Sequence, residues 1–136
     1  MLSPDADTLR LFLHVLGAAL WVGGQLVLAP MVPALREVSP EAPKAAARRF
    51  GPVAGAGYLV LLFSGVWNTM EVDFDARSSA YGATFGLKMT LFLLSGVGAA
   101  VHMAAKKPAV KGAFAGVSAL TGAGALFLGI LLTTGA

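Results

Sequence analysis

Cysteine is absent from the 136-residue chain, and Asp, Glu, Lys and Arg together make up only 12% of it. The first absence excludes disulfides, thiolate metal sites, iron–sulfur clusters and thiol-based copper relays. The second leaves too little charge for a water-facing surface. With 57% hydrophobic residues and a mean hydropathy of +0.76, it places the chain in a bilayer. No stretch alternates apolar and polar residues at period two, which argues against a transmembrane barrel. The opening MLSPDADTLR carries acids where a signal peptide carries a basic region, and the apolar run behind it is too long for a signal-peptide core. The first helix is therefore expected to be retained.

Four apolar runs are present, at about 9–32, 51–70, 83–105 and 113–134, each near the ~20 residues that cross the hydrocarbon core. Backbone groups in lipid must be satisfied within the chain, so these runs are expected to be helices. The expected fold is all-α, a four-helix transmembrane bundle, up-down-up-down, forming a single domain over residues 1–136. Pro30 and Pro33 are expected to kink or end the first helix. Ser39-Pro40 reads as an N-cap followed by proline at the first helical position, opening a short interfacial helix through EAPKAAARRF.

The net charge of +3 and pI near 9.6 reflect orientation rather than nucleic-acid binding, because the basic residues sit at membrane borders. Arg36, Lys44, Arg48, Arg49, Lys106, Lys107 and Lys111 lie on one side, seven in all. Arg10 and Arg77 flank the other, where Glu71, Asp73 and Asp75 collect. The positive-inside rule then puts both termini outside. Seventeen glycines and many alanines spread through the spans suit close helix packing, and flat faces of this kind suit a homodimer.

The first run carries His14 and Gln25 within it, and an ionisable group inside a span is a functional-site hypothesis by default. At ~100° per residue, Ala18, Trp21, Gln25 and Leu28 share a face with His14. In the third run Lys88, Ser95 and His102 recur every seven residues on a second face. The second run adds Gly57, Ser64 and Asn68 with Trp67 beside them, and the fourth offers Ser118, Gly122, Ala125, Gly129 and Thr133, a pattern that reads as close packing. His14 and Lys88 each fall about 7 to 8 Å below the outer border, level with Ser64, Trp67 and Asn68, while His102 lies roughly 21 Å further in. The two histidines thus belong to different levels. His102 has a simple account, three residues before Lys106 and Lys107 where headgroups and water are in reach. Trp21 falls near mid-span, for packing or for contact with a flat ligand. Lys88 must snorkel, pair with an anion or lose its proton, and its span contains no carboxylate.

The stretch RLFLHVLGAALWVGGQLVLAPMVPALR resembles the first-helix signature of bacterial copper-resistance D (CopD) domain membrane proteins, and SGVWN and FGLKMTLFLLSG resemble their later helices. More distantly, the chain is similar to the HemJ group of protoporphyrinogen oxidases, which bind heme b and depend on a first-helix histidine and a later-helix lysine. That pattern implies roles for His14 and Lys88, and it implies a multi-pass protein of the bacterial inner membrane.

Two functions from different classes follow. The first is heme-b binding for redox or electron-transfer chemistry: His14 is the axial ligand, Lys88 meets a propionate or serves as second ligand, and Gly17, Ala18, Trp21, Ser64, Trp67 and Asn68 line the slot. A heme-dependent oxidoreductase, with a redox partner in the membrane or on its outer side, is the enzymatic form of this reading. The second is copper transport, with His14 and Met70 at the outer mouth and His102 and Met103 at the inner one. Five methionines without paired spacing and an ammonium at Lys88 weigh against it. A ligand-free membrane scaffold is the third alternative. The charge asymmetry makes a direct prediction: a C-terminal reporter active only in the cytoplasm stays silent, and strong signal there refutes the orientation.

Overall fold

The computed structural model describes residues 3–135, and among these it is all-α, with four helices long and apolar enough to cross a membrane. The expected four-helix class is the one observed. The first membrane-length helix joins α1 (Ala6–Ala18), a π-helical turn (Ala19–Gly23) and α2 (Gly24–Val38). The others are α3 (Ala42–Met70), α4 (Ser79–Ala104) and α5 (Pro108–Thr134). The chain divides into two compact units, Met1–Val72 and Asp73–Ala136. In the first, α3 packs along α1, the π turn and α2; in the second, α4 pairs with α5.

Local chemistry explains the helix ends. Asp5 caps α1 through a capping box with Thr8, and the Thr8 hydroxyl and backbone N–H hold the exposed Asp5 carboxyl below its usual range. The Ser78 hydroxyl accepts the Tyr81 N–H at the start of α4, and Pro108 opens α5, where no N–H is needed. One alternative and one expectation are corrected. Pro30 and Pro33 do not end the first helix, which runs on to Val38; the carbonyls they leave unpaired are tolerated where other groups can satisfy them. The stretch after Ser39 is not a separate interfacial helix, since α3 is continuous from Ala42 to Met70. Ser39 does accept the Ala42 N–H on its hydroxyl, at 3.1 Å, but the helix begins at Ala42 and not at Pro40.

Burial is inverted relative to a water-soluble protein. The buried positions are mostly small, namely Gly17, Ala54, Gly57, Ser64, Ser95, Gly98, Ser118, Gly122 and Ala125, with Trp21, Val22 and Leu61 the larger ones, while Phe12, Phe63, Leu120 and Phe127 are exposed. In lipid, apolar side chains gain nothing by leaving the surface, and helices associate where small residues let their backbones approach. A Cβ added at Gly57 would lie 2.7 Å from Leu20 Cβ and 3.3 Å from the Trp21 nitrogen. At Gly98 it would lie 2.9 Å from the Ser118 nitrogen. Ser95 Oγ donates to the Ser118 carbonyl at 2.8 Å, closing the second seam with both serines fully buried.

These contacts predict a contrast on one helix. Gly57→Ala destabilises the first pair by about 1 to 3 kcal/mol through overpacking against atoms fixed to the backbone. Gly55→Ala, with nothing within 4 Å of the new carbon, is neutral or slightly stabilising through helix propensity. Unfolding titrations in mixed micelles that rank the two variants equally would refute this account of the seam.

Candidate functional site

The polar residues of the first unit form a seam along α1 and α3, running antiparallel and repeating at four- and three-residue steps. Arg10 Nη1 donates to Asn68 Oδ1. One turn on, His14 Nδ1 lies 2.9 Å from Ser64 Oγ. Next, Gly17 sits against the backbone and side chain of Leu61 and the Gly57 carbonyl. Then Trp21 packs on Tyr58, ring centroids 4.6 Å apart. The spacing 10, 14, 17, 21 on one helix meets 68, 64, 61, 58 on the other, so each rung is fixed by the same periodicity.

The central rung settles which nitrogen of His14 carries hydrogen. Ser64 has one hydroxyl proton, and at 2.6 Å it is given to the Val60 carbonyl. Its oxygen is left to accept, so Nδ1–H of His14 is the donor. A histidine oriented through Nδ1–H in this way is the arrangement in which Nε2 serves as a metal ligand. Gly65 lies beside the ring: a Cβ there would stand 3.6 Å from His14 Cε1.

Besides Ser64 and Asn68, two of the other predicted slot residues lie on this seam. Gly17 and Trp21 are buried in helix packing. Ala18 and Trp67 are half-buried. Ser64 and Asn68 hold His14 and Arg10. The π turn slips the helical phase, so that Val22, off the predicted stripe, is buried beside Trp21, while Gln25 donates to the Trp21 carbonyl of its own helix rather than across to a neighbour.

In the second unit all three members of the seven-residue stripe lie on the α4–α5 seam. Lys88 lies over Gly129, where a Cβ would be 3.4 Å from Lys88 Cε and 3.5 Å from Nζ. Ser95 meets Ser118. His102 Nδ1–H donates to the Lys111 carbonyl at 2.8 Å, a structural tie across the α4–α5 connection. Among the described residues the one salt bridge is Arg10 to Asp7, at 2.9 Å, and Lys88 is in none.

Met70 lies six residues beyond Ser64, ~9 Å along α3 and about 120° round it from His14's partner, and is 78% exposed. Met103 is 71% exposed while its neighbour His102 turns to α5. Among the described residues no group of three or more His, Cys, Asp or Glu is placed to hold a metal ion.

Sequence reasoning treated Arg10 as a border charge and missed it as a seam residue. The signal was its position four residues before His14, on the same face. Tyr58 was missed because a lone tyrosine in an apolar run has no periodic partner of its own kind. Comparison with family models, with curated proteins and with solved structures gives no match.

Proposed function

We propose that this chain is an integral membrane heme-b protein of CopD/HemJ type, serving redox or electron-transfer chemistry, in which His14 would hold the heme through Nε2. The observation that carries the reading is the relay from His14 Nδ1–H to Ser64 Oγ to the Val60 carbonyl, which holds an imidazole oriented through Nδ1 inside a membrane-length helix. The residues fit such a group in kind: one imidazole oriented through Nδ1, a guanidinium one turn away, and a glycine, Gly65, beside the ring. When bound, heme supplies one-electron redox capacity, its potential tuned by axial ligand and surroundings. Ser64 restrains the ring's rotation and, by accepting from Nδ1, raises the basicity of Nε2. The apolar residues of α1 and α3 keep water from the ligand nitrogen. A bacterial inner membrane, both termini outside, a redox partner in the membrane or on the outer side, and a homodimer belong to the same proposal. The exposure of Met70 and Met103 favours heme over copper.

His14→Ala is expected to abolish the Soret band of purified, heme-reconstituted protein, and Ser64→Ala to weaken binding about 10-fold or more as second-sphere support is lost. His102→Ala leaves the band largely intact. Equal loss in the His14 and His102 variants, or copper with no heme in purified wild type, refutes the assignment.

The resemblance also gives Lys88 a role toward the cofactor, and charge tests it. A protonated Lys88 facing an anionic group makes Lys88→Arg tolerable and Lys88→Met damaging to heme content. If both variants keep wild-type content and spectrum, Lys88 has no part in the site.

A further inference from the structure

Arg10 is the charge in the first unit that packing explains least. Its side chain is only 13% exposed, Nη1 is committed to Asn68, and Nη2 donates to Asp7 Oδ1 at 2.9 Å. Nε is buried with no partner. Nε–H and a terminal N–H form one edge of a guanidinium, the edge that takes a carboxylate by two parallel hydrogen bonds. Here the second bond is missing, and a desolvated donor without an acceptor is costly. The first is made by Asp7, an i,i+3 neighbour that is 67% exposed. Asn68 meanwhile fixes the guanidinium from the other side.

Arg10 also precedes His14 by one turn on the same face, ~6 Å nearer the N-terminal border of the span. An amphiphilic ligand with its apolar body at His14 would have its polar end at this level. We propose that Arg10, positioned by Asn68, is a carboxylate-docking site that receives a propionate of the tetrapyrrole ligated by His14, an inference that rests on the heme reading above. Asp7 occupies the guanidinium in the absence of that carboxylate and gives it up on binding.

The test uses the full chain, heme-free, in lipid nanodiscs, titrated with ferric protoheme IX and separately with its dimethyl ester, whose propionates carry no charge. Soret absorbance reads the affinity. Wild type is expected to bind the free acid about tenfold or more tightly than the ester, the effect of charge-assisted hydrogen bonds. Arg10→Gln loses most of that preference, Arg10→Lys keeps part of it, and Asp7→Asn binds the acid at least as tightly as wild type. Equal affinity of the wild type for acid and ester overturns the inference without recourse to any variant, and so does an Arg10→Gln protein that keeps the preference. These outcomes leave the assignment of His14 standing if His14→Ala still abolishes binding. Failure of wild type to take up protoheme at all removes both.

Discussion

The approach of the Gly17 and Gly57 backbones sets the distance at which everything else in the first unit happens. A side chain at either glycine would meet main-chain atoms of the opposite helix, so the two helices stand as close as they do because neither has one. Only at that spacing do short polar side chains reach across. Serine has a reach of one carbon, and Ser64 meets His14 at 2.9 Å without water between them. Wider separation would leave the imidazole facing its own helix, with its tautomer undetermined. The ligand chemistry proposed for His14 is thus downstream of two hydrogen atoms in place of two methyl groups.

The second unit uses the same device with different polar cargo. Gly98 admits the Ser118 backbone, Ser95 crosses to the Ser118 carbonyl, and His102 ties the helix end to the Lys111 carbonyl. Its histidine spends Nδ1–H on a carbonyl at a helix end, where the first unit's histidine spends it on a hydroxyl within the span. Two histidines with the same donor nitrogen thereby serve different ends. Gly129 lies beneath Lys88, where an added Cβ would meet Cε and Nζ at van der Waals distance.

Much of this was written in spacing. The seven-residue recurrence of Lys88, Ser95 and His102 named the α4 seam, and Gly57, Ser64 and Asn68 named that of α3, because a helix converts sequence separation into angle with little error. The small residues of α5 read as packing positions and several are buried. What spacing did not reveal has physical reasons. The π turn at Ala19–Gly23 adds a residue that no composition marks, so every angle counted past it slips. The prolines of α2 carry a strong local tendency to end a helix, yet the membrane environment penalises an irregular backbone more than it penalises two missing hydrogen bonds. Arg10 was assigned by its charge, and charge at a border ordinarily means headgroup contact; its neighbour four residues on decided otherwise.

The inverted burial has a consequence for what losing this structure means. Most phenylalanine and leucine side chains already face outward, so parting the two helices of a unit inside a bilayer exposes glycine, alanine and serine, with Trp21, Val22 and Leu61 in the first unit, and exposes them to hydrocarbon. Each helix retains its own backbone hydrogen bonds throughout. The transition is a separation of intact rods, with almost no apolar surface newly wetted, and it lacks the large positive heat-capacity change by which soluble proteins announce that they have unfolded.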